Sequence, residues 1–325
     1  MIKDVEKIFD LAKSEKYHRL FRINYNGLRL YINNNPFAYY SGLTGALEAA
    51  TFKGDPASKR LNKWREGMIE KMGQENTYNW VKMTADFGTL LHEALVRIKD
   101  NGQIIWKEEE EIAIEYFKNS FEQKGVNDLS LVRKATYEYQ KHVGSLMQFV
   151  YERVHEIQAI EVPAIWKELN IATPIDLVCT ARQTPKGEFM KSTINIKTSK
   201  QITPHHLEQA SCELIMWNQT YEDEKAMATG ILRTKDWTEG KTPTFDYKYH
   251  KFEDARVKAL AAYRRMELCL QTESSYFPEP KSKSFQGTTK LGEAPDIAIH
   301  SIEEDWGREW ELMQLVEKSG SETDE

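Results

Sequence analysis

Three strand-like runs in close succession, followed at once by a helix start, most constrain what this chain can fold into. Residues 159–167, 171–181 and 191–198 read as strands, with Pro185-Lys186-Gly187 as the turn between the second and third. Thr203-Pro204 then offers an N-cap and a proline at the first helical position, so a helix is expected from there to about residue 218. Residues 226–234 and 245–252 read as further strands, and 253 to about 270 as a helix. Helix, three strands, helix, strand is the order of an α/β fold. The predicted fold class is therefore α/β: a mixed central sheet flanked by helices.

The first half of the chain has a different texture. Residues 2–12 carry apolar positions at helical spacing (Ile2, Val5, Ile8, Phe9, Ala12). Leu20 to Tyr25 alternates, Asn26-Gly27 suits a type I′ turn, and Leu28 to Ile32 returns, which predicts a hairpin. Asn33-Asn34-Asn35-Pro36 breaks the pattern, and helical segments are expected over 43–52 and 57–72. Over 85–98, Phe87, Leu90, Leu91, Ala94, Leu95 and Ile98 form one apolar stripe, the strongest amphipathic helix in the sequence. Helices over 106–123 and 129–157 complete this part, with Glu108-Glu109-Glu110-Glu111 read as a solvated face. The expected organisation is an N-terminal hairpin and helical part over 1–84, a core over 85–270 with a helical insertion at 105–157, and a loop-rich acidic tail over 271–325, with a short helix over 303–317.

Charge and cysteine usage bound the chemistry. Residues 301–325 hold nine acids against Arg308 and Lys318, so they carry −7 and leave +1 on the rest of a chain whose net charge is −6. A near-neutral body is compatible with a local basic groove. Cys179, Cys212 and Cys269 are scattered and odd in number, which rules out a disulfide framework and a four-cysteine iron–sulfur cluster. No run is long and apolar enough to span a bilayer, and the N-terminus does not read as a signal peptide, so a cytoplasmic setting and no membrane partner are expected.

Four motifs then fall in order. The amphipathic helix holds Gly88-Thr89-Leu90-Leu91-His92, the second strand ends a Thr173-Pro174-Ile175-Asp176 run, the third holds Asn195-Ile196-Lys197-Thr198, and the following helix holds Gln209 and Glu213. Asp176 and Lys197 are 21 residues apart, which suits adjacent strands joined by a turn. Positions 195 and 197 share a strand face. In this order the motifs resemble the PD-(D/E)XK nuclease superfamily, in its RecB-like exonuclease branch. There a G-T-x-x-H helix precedes a strand acid, a (D/E)-x-K-T strand and a Q-x-x-x-Y helix. Tyr40-Ser41-Gly42-Leu43-Thr44 and Trp64 also look like that branch, and the resemblance covers roughly 36–270. It is nearest the phage and mitochondrial-type exonucleases.

The resemblance implies a restriction-endonuclease-like core and Mg²⁺- or Mn²⁺-dependent hydrolysis of DNA in recombination, repair or phage DNA processing. DNA is the implied partner, with a recombination or replication protein as a second, and the host cytoplasm is the implied location if the chain is phage-encoded. Asp176, Asn195 and the Ile196 carbonyl would hold metal with His92 adjacent. Lys197 and Gln209 would serve the attacking water and the phosphate. Gly88 would let a strand or substrate approach closely. Glu161, Glu213, Thr89 and Thr198 are secondary candidates.

Two positions depart from the pattern. Residue 195 is Asn where the family carries an acid, and residue 213 is Glu where it carries an aromatic. An asparagine can ligate through its side-chain oxygen but brings no charge and cannot act as a base. The sequence therefore leaves a second reading open, a catalytically impaired nuclease-fold protein that binds DNA or a protein partner. On the sequence alone, Asn195→Asp fits without repacking and is expected to raise metal affinity and cleavage.

Overall fold

The structure, a computed structural model, describes residues 21–25, 28–34, 37–50, 66–67, 70, 74–122, 129–199, 201–234 and 241–271. Strands β1 (Phe21–Tyr25) and β2 (Leu28–Asn34) pair antiparallel with Tyr25 opposite Leu28, the hairpin that the alternation predicts. Its Asn26-Gly27 turn lies outside the described residues. The chain then returns as β3 (Phe37–Gly42), antiparallel to β2, a strand that the asparagine-rich break conceals in the sequence. Ser41 and Gly42 pair in parallel with Ile171 and Ala172. Among the described residues the N-terminal part thus continues the main sheet and is followed by a short helix α1 (Leu43–Ala49). The helices expected over 2–12 and 303–317, and the tail, lie outside the described residues. So does the helix expected over 57–72, apart from 66–67 and 70, which are helical.

Three long helices follow: α2 (Gln74–Asn101), α3 (Trp106–Glu122) and α4 (Leu129–Arg153). Strand β4 (Val154–Trp166) starts where α4 stops, earlier than the periodicity suggests. Val150, Val154 and Ile157 keep a helical spacing and pack on the same core, so their pattern does not mark the change of backbone. Then come β5 (Ile171–Arg182), β6 (Phe189–Lys197), α5 (Pro204–Thr220), β7 (Ala228–Thr234), β8 (Phe245–Lys251) and α6 (Phe252–Gln271). Helix α5 opens as expected, with Thr203 as N-cap and proline at its start. The strands form one mixed sheet in the order β1-β2-β3-β5-β6-β7-β8, with β4 on the other edge of β5. Along its free edge β5 pairs first with β3, through Ile171 and Ala172, and later with β6, from Leu177 to Arg182.

Both faces of this sheet are covered. On one, Leu43, Leu47, Leu214, Trp217 and Met266 from α1, α5 and α6 pack on Val162, Ile175 and Val178. On the other, Leu90, Leu91, Leu95, Phe117, Tyr139 and Phe149 from α2, α3 and α4 pack on Ile160, Leu177, Ile194, Ile196 and Leu232. Because Ile194 and Ile196 face the second core, Asn195 and Lys197 face the α5 side. The glutamate run on α3 is only partly a solvated face. Glu108, Glu110 and Glu111 are exposed, but Glu109 is buried and accepts hydrogen bonds from Arg97 and Tyr139. A charge run carries no periodic apolar signal, so the one inward-turned carboxylate is not visible in it.

Candidate functional site

Strand register builds the site. In the β5–β6 pair Leu177 stands opposite Ile194, and in the β4–β5 pair Ile160 and Val162 stand opposite Leu177 and Ile175. One residue further along, Glu161, Asp176 and Asn195 therefore fall in a row across three strands. The β5–β6 pairing ends at Leu177, so Asp176 and Asn195 lie where the two strands part. Glu161 has φ of 52°, a left-handed backbone in the middle of a strand. For a residue with a Cβ that conformation costs about 1–2 kcal/mol, and such strain concentrates at functional sites.

His92 reaches this row from α2, beside the apolar stripe that anchors the helix. Its Nδ1 contacts Glu161 Oε1, and its Nε2 lies 3.8 Å from Asp176 Oδ2. One ligand atom from each of His92, Glu161 and Asp176 lies within 4.8 Å of the others. Burial pulls the imidazole down, but the Glu161 and Asp176 carboxylates outweigh it and hold the His92 pKa at about 9, against Lys197. Burial also pushes the Asp176 carboxyl above its ordinary range, with Glu161 adding to the push while His92 and Lys197 oppose it. The group has a strong local preference for positive charge.

A second set of contacts lies behind the row. Asn195 is buried, and its Nδ2 donates to both carboxylate oxygens of Glu213 at 2.9 and 3.0 Å. Gln209 Nε2 donates to Glu213 Oε1 at 2.8 Å. Glu213 is itself buried, and desolvation, followed by the charge of Asp176, pushes its pKa up to about 8 against Lys197, Asn195 and Gln209. With its amide nitrogen on Glu213, Asn195 turns Oδ1 the other way. That oxygen is buried and has no hydrogen-bond partner among the described residues. A buried acceptor without a donor costs about 1–3 kcal/mol, which a cation would offset. The two carboxylates and the imidazole lie close enough together to hold a metal ion, and Asn195 offers a further oxygen from the neighbouring strand.

The other expected residues are placed as follows. Lys197 is half-buried at the end of β6, and its charge acts on His92, Asp176 and Glu213. Ile196, expected to offer its carbonyl, donates its N–H to Asp176 Oδ2 at 2.7 Å and so fixes that carboxylate. Gln209, expected at the lysine or a phosphate, has its amide on Glu213. A Cβ built on Gly88 meets nothing within 4 Å, so no described strand closes on it and the space beside it is open. Thr89 is exposed and Thr198 half-buried. Cys179 and Cys212 are buried in different cores, their thiols pushed up by burial.

Sequence reasoning ranks Glu161 and Glu213 too low. Glu161 stands in the middle of the cluster, but nothing in a sequence announces a left-handed glutamate. The signal for Glu213 is the pair of departures itself: an acid absent at 195 and an acid present at 213 on the next element. No family model matches this chain, and no curated protein matches it. Among the described residues no helix is long and apolar enough to cross a membrane.

Proposed function

We propose that this chain is a metal-dependent deoxyribonuclease that hydrolyses DNA phosphodiester bonds exonucleolytically, in recombination, repair or phage DNA processing. The observation that carries the reading is the cluster of His92, Glu161 and Asp176, with a buried Asn195 Oδ1 that lacks a hydrogen-bond partner among the described residues on the neighbouring strand and the Lys197 charge acting on Asp176. A divalent cation bound there supplies Lewis-acid charge to a phosphate. The chain's own groups do the rest. Asp176, fixed by the Ile196 N–H, Glu161 and Asn195 Oδ1 form the oxygen side of the site, and His92 closes it from α2. Lys197 brings a positive charge to stabilise the charge that develops on the scissile phosphate. The open space at Gly88 gives the DNA backbone a place to pass.

The second reading is a catalytically impaired nuclease-fold protein that binds DNA or a protein partner. Asn195 favours it, because the strand position beside Asp176 carries no charge. The two readings part in one assay: end-labelled linear DNA incubated with purified protein and Mg²⁺, Mn²⁺ or EDTA. Metal-dependent loss of label from the ends is expected. DNA binding without cleavage in either metal at saturation selects the second reading.

A further inference from the structure

Among the described residues, Glu213 is a buried carboxylate near the cluster that the proposed chemistry leaves without a task. It lies one layer behind the ligand row, and both of its oxygens receive the Asn195 amide. An amide can sit either way round in a site, and its neighbours decide which end points where. Turned over, Asn195 would lose both of its hydrogen bonds to Glu213 and set Oδ1 about 3 Å from Oε1, which already accepts from Gln209. Glu213 therefore excludes one orientation. The orientation it keeps aims a buried, partnerless oxygen away from α5. Gln209, one helical turn earlier, holds Glu213 Oε1 at 2.8 Å and keeps the carboxylate from swinging.

We propose that Asn195 and Glu213 act as one exchanged acid–amide pair, in which Glu213 is a positioning residue that holds the Asn195 amide nitrogen and so presents Asn195 Oδ1 to the cation. The inference rests on the metal reading given above. It reverses the expectation that an acid at 195 would improve the site. Asn195→Asp removes the nitrogen that donates to both Glu213 oxygens and sets a second buried carboxyl group about 3 Å from the first. Moving the acid to the strand and the amide to the helix at the same time restores one amide donor facing one carboxyl acceptor.

The test is a double-mutant cycle on the full chain with Asn195→Asp, Glu213→Gln and the two combined, read by Mn²⁺ titration calorimetry and by melting in EDTA. Each single substitution is expected to weaken Mn²⁺ binding at least tenfold, and the combined variant to return to within about threefold of wild type. In EDTA, Asn195→Asp is expected to lower the melting temperature and the combined variant to recover it. If Asn195→Asp does not fold alone, folding of the combined variant is the expected rescue, and its failure to fold overturns the pairing. Additive losses of Mn²⁺ affinity also overturn it. So does a cycle that is coupled in the EDTA melts but not in Mn²⁺ affinity, since that makes Glu213 a purely structural partner. A wild-type protein that binds no Mn²⁺ is a separate outcome, which removes the metal reading and this inference with it.

Discussion

Lys197 is the residue whose removal separates chemistry from fold most cleanly. It is half-buried at a strand end and its charge falls on the carboxylates of the site. Lys197→Ala is expected to cut DNA cleavage at least about a hundredfold, roughly 2.7 kcal/mol of transition-state stabilisation, with the melting temperature within a few degrees of wild type. Unchanged cleavage would remove Lys197 from the mechanism. His206 tests the same corner of the fold through pH. Its Nδ1 accepts from the Thr203 N–H while the Thr203 hydroxyl accepts from the His206 N–H, a reciprocal cap on α5. Burial, then the charges of Lys197 and His205, depress its pKa to about 4. An unfolded histidine takes up a proton near 6.5, so between about 6.5 and 4 the unfolded chain binds more protons. The stability from neutral His206 is therefore complete above about pH 6.5 and lost as pH falls toward 4. His206→Gln, which keeps an acceptor at that position, is expected to flatten this part of the melting-temperature profile. An identical slope in the variant would show that other groups cause the loss. At this scale motif spacing pointed to Asp176, Lys197 and His92, and the structure brings His92 and Asp176 together with Glu161. The partnership of Asn195 with Glu213 was hidden, because it depends on which face of α5 meets β6.

Among the elements, the helical layer of α2, α3 and α4 is held by more than its apolar stripe. Arg97 on α2 grips Glu109 on α3 through Nε at 2.9 Å and a second nitrogen at 2.5 Å, and the Tyr139 hydroxyl of α4 donates to the same carboxylate. Glu109→Ala is expected to cost about 2–3 kcal/mol, below the 3–5 of a fully buried pair because the Arg97 side chain is 25% exposed. Urea unfolding would show it as a lower midpoint at constant m, and a midpoint within error of wild type would mean that Glu109 is dispensable. The long strongly periodic elements, α2, α3, β5, β6 and α5, were legible because burial on one face imposes a period on the sequence. β3 was not, since the run from Asn33 read as a terminator, whereas Asn33 and Asn34 belong to β2 and pair with Ala38 and Phe37 of β3. The end of α4 was not either, because Val154 and Ile157 serve the same core from an extended backbone.

For the whole molecule, the α/β class was legible from the order of strands and helices, whereas the way β3 enters beside β5 was not. That junction needs the parallel pairing of Ser41 and Gly42 with Ile171 and Ala172, a contact 130 residues apart that leaves no local pattern. The charge distribution makes a further prediction at this scale. Residues 301–325 carry −7 against +1 on the rest of the chain. Deleting them is expected to tighten DNA binding at low ionic strength, with a gain that shrinks as salt rises. Fluorescence anisotropy against a labelled duplex would measure it, and weaker or unchanged binding at low salt would count against an electrostatic role for the tail. The central claim is that the row of Glu161, Asp176 and Asn195, closed by His92, holds a divalent cation for DNA hydrolysis. The most direct measurement is anomalous diffraction from crystals soaked in Mn²⁺. A single strong peak is expected at coordination distance from the Asp176 carboxylate and Asn195 Oδ1, and it should vanish in Asp176→Ala. No peak among these residues, or a peak elsewhere in a protein that degrades DNA, would contradict the account.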